Sequence, residues 1–192
     1  MNLRIRITFG FLIIVSVMIC VSGIIIWQES HMYKAFQHSS QISEIEKYFL
    51  ECRRQEKNFF IRHDSQSVQL FASNYDSLSI LIDKMMHNDI NEQMAIKLID
   101  LEKKLVAYQN VFGELIITKN VELENNLAIR EVSLARDGHK IIDEIKNIAS
   151  QNFKNAHAIT NNVNIFSILI GLFLSVLIAG FISTKIMDII GH

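Results

Sequence analysis

Residues 7–27 read ITFGFLIIVSVMICVSGIIIW and contain no charged side chain. A second uncharged run, VNIFSILIGLFLSVLIAGFI, occupies residues 163–182. A helix of about 20 residues spans ~30 Å, which is the thickness of the hydrocarbon core of a bilayer. Because backbone groups in lipid have no water to bond, only helices and closed barrels cross a membrane. The two runs therefore predict two transmembrane helices.

Residues next to the runs predict how the chain is oriented. The first run is longer than the apolar core of a usual signal peptide, and no small-x-small cleavage site precedes Trp27, so we expect an uncleaved anchor. Arg4 and Arg6 come before the first run, and Lys185 follows the second. Basic residues in short tails favour the cytoplasm. Both termini are therefore predicted to be cytoplasmic.

This orientation divides the chain into five predicted segments. They are a cytoplasmic tail at residues 1–6, a span at 7–27, an outer domain at 28–162, a second span at 163–183 and a cytoplasmic stub at 184–192. The outer segment is 135 residues long, which is enough for one domain but not for two.

The outer domain has apolar residues at spacings of three and four, which is the pattern of one helix face. The chain contains no proline to interrupt a helix. Four stripes result: Ile42, Ile45, Phe49, Cys52, Glu56 and Phe59; Val68, Phe71, Tyr75, Leu78, Leu81 and Met85; Met94, Leu98, Leu101, Leu105, Tyr108, Phe112 and Leu115; Leu127, Leu134, Gly138, Ile141, Ile145 and Ile148. They predict an all-α fold, a membrane-anchored antiparallel four-helix bundle.

Three polar breaks separate the stripes. Asp64 at the first break is predicted to cap the second helix. Asp89, with Glu92 three residues later, has the spacing of a capping box for the third helix. The last break is placed near Lys119 and Asn120.

The run RRQEKNFFIR at residues 53–62 resembles the RRxEKxFxxR signature of the sensor regions of bacterial methyl-accepting chemotaxis receptors. The resemblance is to the helical bimodular class and related four-helix-bundle receptors, whose order of segments is also similar. It implies a homodimeric sensor in the bacterial inner membrane, with residues 28–162 in the periplasm. Such a module detects a small extracytoplasmic ligand and transmits the signal inward.

The chain departs from this family in its length. It has room for one bundle rather than two, residues 184–190 lack the proline that usually opens a HAMP linker, and the sequence stops at His192. We therefore expect a receptor truncated before or within that linker, which cannot reach cytoplasmic signalling partners by itself. The input region of a sensor histidine kinase and a membrane-anchored helical interaction protein without a small ligand are the alternatives.

Arginines supply the candidate ligand site. Counted along the helices from the membrane, Arg53, Arg54 and Arg136 lie at similar heights. Guanidinium groups bind both oxygens of a carboxylate, so these residues, with Lys57, are predicted to bind an organic anion. The resemblance implies organic-acid ligands as well. The alternative is a salt-bridge network, for which four acidic residues are near enough: Glu51, Glu56, Glu131 and Asp137.

Two polar residues fall on the first apolar stripe. A carboxylate facing a core is unfavourable unless it is paired. Glu56 is therefore expected either to fix register with an arginine, for which Arg53 is the in-helix partner, or to reach solvent. Cys52 is the lone cysteine of the outer domain, and it is either buried or able to cross-link two subunits.

Catalytic and cofactor sites are not expected. The sequence has no nucleophile–base pair, glycine-rich phosphate loop or Cys-x-x-Cys motif. His31 and His157 without a third ligand do not make a metal site. The net charge of −1 gives no basis for binding nucleic acid. We predict a protein that is not an enzyme and holds no metal or cofactor.

Overall fold

The computed structural model describes residues 3–118 and 121–190. Within this part of the chain the secondary structure consists of four α-helices and contains no strand. They are α1 (Leu3–Arg62), α2 (Ser65–Met86), α3 (Glu92–Ile117) and α4 (Val121–Ile190). The predicted all-α class is confirmed.

Asp64 is the N-cap of α2, as predicted. Its backbone is extended, with φ −97° and ψ 145°, and its carboxylate accepts a hydrogen bond of 2.7 Å from the N–H of Ser67. This bond satisfies one of the N–H groups that the first turn of a helix leaves free. His63, between α1 and α2, has φ 52°, so the chain turns here through the left-handed region.

The predicted cap of α3 is wrong. Asn91, not Asp89, is the N-cap, and its side-chain oxygen accepts a 2.8 Å hydrogen bond from the N–H of Met94. The reason lies in the preceding turn, where the N–H of Ile90 bonds to the carbonyl of Asn88. Asp89 is the middle residue of that turn, so α3 begins three residues later. The break predicted near Lys119 and Asn120 lies outside the described residues.

The chain divides into two compact units. The first, Ala35–Asn152, contains the packed parts of all four helices and is called the four-helix unit below. Its core consists mainly of the predicted stripes: Ile42, Ile45, Phe49 and Cys52 from α1; Phe71, Tyr75, Leu78 and Met85 from α2; Met94, Leu98, Leu101, Leu105, Tyr108 and Phe112 from α3; Ile141, Ile145 and Ile148 from α4. In α2, Ile82 is buried more deeply than the predicted Leu81.

Gly138 allows a close approach in this core. It lies on the buried face of α4, and a Cβ atom at this position would stand 3.2 Å from Cε2 of Phe49. The same phenyl ring stacks on His139, with 6.4 Å between the ring centroids. The missing side chain therefore makes room for the Phe49 ring.

The second unit joins Met1–Lys34 to Phe153–His192. Large apolar side chains are exposed here, including Phe166, Phe173 and Val176. Gln28 is buried, and its Nε2 lies 3.5 Å from the carbonyl oxygen of Ile159. Among the residues that the structure describes, two helices are long and apolar enough to cross a membrane.

Candidate functional site

Four polar side chains meet inside the four-helix unit. They are Arg53 and Glu56 of α1, Tyr108 of α3 and Glu131 of α4, and they are called the buried polar cluster below. The two glutamates are only 2% and 1% exposed. Charged side chains are rarely buried this deeply, so the cluster is the most unusual feature of the core.

Helical periodicity brings these residues inward. Glu56 lies four residues after Cys52, which is fully buried. Glu131 lies four residues after Leu127 and four before Ala135, and both of these are buried. Residues four apart share a helix face, so neither glutamate can face water while its neighbours stay in the core.

Arg53 links the two carboxylates. Its Nη1 donates hydrogen bonds to Oε2 of Glu56 and to Oε1 of Glu131. The hydroxyl of Tyr108 also donates to Oε2 of Glu56. The Arg53 guanidinium lies 5.9 Å from the centre of the Tyr108 ring. The Arg53 guanidinium thus connects α1 with α4, and the Tyr108 hydroxyl connects α3 with α1.

The charges in the cluster do not balance if both glutamates are ionised. Burial, followed by the hydrogen bond and the charge of Glu56, raises the pKa of Glu131 to about 8, while Arg53 opposes the shift. Burial also raises the pKa of Tyr108 well above its usual range, so the phenol keeps its proton and remains a donor. At neutral pH the Glu131 carboxyl is therefore mostly protonated.

Cys52 lies beside the cluster and is inert. Its thiol is fully buried and lies 3.9 Å from the carbonyl oxygen of Phe71. Burial, followed by the charges of Glu51 and Glu56, raises the pKa of this thiol to about 12. The buried alternative for Cys52 is therefore confirmed, and a neutral thiol is a poor nucleophile.

The four residues predicted to bind an anion differ in their surroundings. Arg53 is held in the buried polar cluster. The Arg54 side chain is 65% exposed and pairs with Glu51 at 2.6 Å. Lys57 and Arg136 are exposed. Among the described residues, no contact joins Arg136 to either of the other two arginines.

Part of the alternative salt-bridge network is present. Arg53 pairs with Glu56 and Glu131, as just described. Asp137, however, pairs with Lys104 of α3, with 2.8 Å between Nζ and Oδ2. The hydrogen bond from Lys104, then its charge, lowers the pKa of Asp137, and Arg136 contributes less. Arg136 is therefore a surface residue of α4 whose charge affects Asp137, and it is not part of the buried polar cluster.

Glu56 does not reach solvent, so that alternative is wrong. Its partners are Arg53 on its own helix and Tyr108 on α3. Glu131 was named as a possible partner of the arginines but not as a buried residue, and Tyr108 was predicted as a core residue but not as a partner of Glu56. Glu131 carries the same signal that marked Glu56, because Leu127, Glu131 and Leu134 have the spacing of the fourth apolar stripe.

Two further ion pairs join α4 to its neighbours. Lys146 bonds to Glu46 of α1 at 2.7 Å, and Lys97 of α3 bonds to Glu144 at 2.6 Å. Exposed pairs of this kind contribute about 0–1 kcal/mol each. No group of three or more metal-binding side chains occurs among the described residues.

Comparison with known proteins gives no assignment. No protein-family model matches the chain, and no significant match exists among curated proteins or solved structures. Function is therefore inferred from the chain's own residues.

Proposed function

We propose that the protein is the sensor module of a chemoreceptor-type transducer in a bacterial inner membrane. Residues 7–27 and 163–183 form its spans, and residues 28–162 form a periplasmic antiparallel four-helix bundle. The observation that carries the proposal is helix length. Each of α1 and α4 is a single helix, Leu3–Arg62 and Val121–Ile190, that contains both a span-like run and a part of the buried core.

Lipid accounts for the exposed apolar residues of the second unit. Phe173 and Val176 of α4 are 65% and 69% exposed, and soluble proteins rarely expose contiguous apolar surface of this kind. A bilayer would cover these side chains. The contact of Gln28 with the Ile159 carbonyl joins the two helices next to the proposed spans, on the outer side of the membrane.

Signal transfer would follow from the uninterrupted helices. A ligand or partner that favours one packing of α4 against α1 would shift α4 by a small sliding motion. Because α4 has no break after Val121 within the described range, the shift would reach residues 163–183. A homodimer would couple two such helices across a shared interface.

The membrane topology has a direct test. Native cysteines are replaced, and a single cysteine is placed at Asn88 in the loop between α2 and α3. We expect a membrane-impermeant maleimide to label Asn88→Cys in cells whose outer membrane alone is permeabilised. The control, Lys185→Cys, should be labelled only after the inner membrane is opened. The reverse pattern, or equal labelling, would reject the proposed orientation.

A small organic anion remains the proposed ligand. Arg54, Lys57 and Arg136 are accessible to it, whereas Arg53 is already bonded to two glutamates. The purified full chain is screened by thermal shift against small carboxylates. A ligand at about a hundred times its Kd adds about 2.7 kcal/mol, and the Arg54→Ala, Lys57→Ala, Arg136→Ala variant should lose this gain.

Arg130→Ala is the matched control, because Arg130 is an exposed arginine of α4 outside the proposed set. It should keep the ligand-induced gain in stability. If no carboxylate stabilises the wild type, the organic-anion proposal is withdrawn. If Arg130→Ala abolishes the gain as well, general charge explains the effect.

A second candidate is a helical interaction protein without a small ligand. The observation in its favour is a surface stripe on α3 at alternating spacings of three and four, typical of a helix–helix seam. The stripe contains Ile96, Ile99, Lys103, Val106, Asn110, Gly113 and Ile117, and all of them are exposed. Self-association measured by light scattering should be lost in Ile99→Arg and kept in Ile80→Arg, an exposed control on α2.

A further inference from the structure

The buried polar cluster holds more acid groups than cations. Glu56 and Glu131 would carry two negative charges, and Arg53 carries one positive charge. Both carboxylates bond to the same atom of Arg53, its Nη1. Placing an unpaired charge in a protein core is strongly unfavourable, so the site needs one more positive charge. A proton is the smallest species that supplies it.

We propose that the buried polar cluster is a proton-binding site in which Glu56 and Glu131 share one proton, and that its release loosens α4 from α1. In the occupied state the protonated carboxyl of Glu131 donates to the carboxylate of Glu56. In the empty state two carboxylates repel each other across the two helices. The proton passes between Glu131 and bulk water, and no bond between heavy atoms changes.

Two cations that lie near the cluster along their helices are paired with other carboxylates, and Lys57 and Arg136 are exposed. On α1, Arg54 is exposed and bonded to Glu51. On α3, Lys104 is bonded to Asp137. Within the described residues, Arg53 is the one cation bonded to either glutamate of the cluster. These surface ion pairs therefore do not supply the positive charge that the cluster lacks.

The remaining groups that face the cluster are neutral. On α2, Phe71 packs against Tyr108 with 5.6 Å between ring centroids. Tyr75 of α2, which stacks on Phe71, has a pKa raised by burial and then by Glu102, and it stays a phenol. Cys52 stays a thiol, and Tyr108 itself keeps its proton. Glu131 is thus the group of the cluster that titrates near neutral pH.

The location gives the proton a mechanical effect. Glu56 belongs to α1 and Glu131 to α4, which are the helices that carry the two span-like runs. Arg53 and the shared proton hold these helices together from inside. The site would bind its proton whether or not the chain is a ligand sensor, so its test does not depend on the proposed function.

The sign of the pH effect follows from linkage. The pKa of Glu131 is higher in the folded chain than its ordinary value of 4.5. Between the two values the folded state binds more protons than the unfolded state, so stability falls as pH rises. This contribution is fully present below pH 4.5 and is lost as pH rises through about 8.

The experiment compares the full chain in detergent micelles with its Glu131→Gln variant. Thermal unfolding is followed by circular dichroism from about pH 5 to about pH 9. Relative to the variant, the wild-type folding constant should fall by up to about tenfold per pH unit. Asp137→Asn, which changes a partly exposed carboxylate on the same helix, is the control and should keep the wild-type slope.

Equal slopes for the wild type and Glu131→Gln would overturn the proposal. A second measurement covers a variant that fails to fold. Infrared difference spectra of the wild type should show the carbonyl stretch of a protonated carboxyl at neutral pH and its disappearance in alkaline solution. Hydrogen exchange of α4 should accelerate over the same range beyond the intrinsic effect of pH. Absence of the carboxyl band or of this acceleration would likewise overturn the proposal.

Discussion

At the residue scale, Arg53 is a partly exposed cation whose two acidic partners are buried in the four-helix unit. Its side chain is 20% exposed, yet its guanidinium bonds to two glutamates that are almost fully buried. Removing the guanidinium leaves two buried acid side chains without their cation. This change should lower the stability of the fold more than the loss of a surface ion pair does.

We predict that Arg53→Ala destabilises the chain by about 3 kcal/mol, because loss of one partner leaves a buried charge uncompensated. Arg54→Ala, next in sequence and exposed, should change the stability by less than about 1 kcal/mol. Thermal and denaturant unfolding of the full chain in detergent measure both. Acid should partly rescue Arg53→Ala, since protonation removes the negative charges. Equal losses in the two variants would contradict this assignment.

Two glycines form a second matched pair. At Gly138 a Cβ would lie 3.2 Å from the Phe49 ring, whereas at Gly113 nothing lies within 4 Å. Alanine at Gly113 should stabilise α3 by about 0.5–1 kcal/mol through helix propensity. Alanine at Gly138 receives the same benefit but forces the ring to move, and overpacking costs about 1–3 kcal/mol. Opposite changes in the unfolding midpoint are expected, and a similar gain at both sites would show that the contact is loose.

At the element scale, periodicity predicted which residues are buried but not how the helices are aligned. The third stripe, Met94 to Leu115, is buried at every predicted position because spacing alone decides which face of a helix is apolar. Counting heights from the membrane placed Arg53 level with Arg136. In the structure Arg53 meets Glu131, five residues away, or about 7.5 Å along α4. Register depends on contacts such as Phe49 against Gly138, which no single helix contains.

The start of α3 shows the same limit locally. Asp89 and Glu92 have the spacing of a capping box, but the turn at Asn88 moves the start of the helix to Glu92. A single sequence gives the residue types that cap helices and not the geometry of the turn before them. Positions near helix ends are therefore predicted less well than the stripes.

Asn91 should stabilise the start of α3. We predict that Asn91→Ala costs about 1 kcal/mol, because it removes the acceptor for the N–H of Met94. Gln93→Ala, an exposed change in the same turn, should be nearly neutral. Denaturant unfolding of both variants, read by circular dichroism, gives the difference. If Asn91→Ala is also neutral, the cap contributes little to stability, and the packing of Met94 alone determines where α3 begins.

At the scale of the whole molecule, acid groups act on stability in two opposite directions. Asp64, Asp137 and Glu144 have lowered pKa values, because backbone or lysine groups bond to their charged forms. Their contribution is present above the unfolded values and is lost as pH falls. Glu131 has a raised pKa, and its contribution is lost as pH rises. Stability should therefore pass through a maximum on the acidic side of neutrality.

The position of this maximum is a property of the whole chain that one residue can move. In Glu131→Gln the amide still accepts from Arg53, but it does not ionise, so the alkaline loss disappears while the acid loss remains. The pH of greatest stability should shift upward, toward a plateau through neutral pH. Melting temperatures measured across the pH range at constant ionic strength give the profile for both proteins. A maximum at the same pH in both would mean that other groups cause the alkaline loss, and that the cluster stays packed with both glutamates ionised.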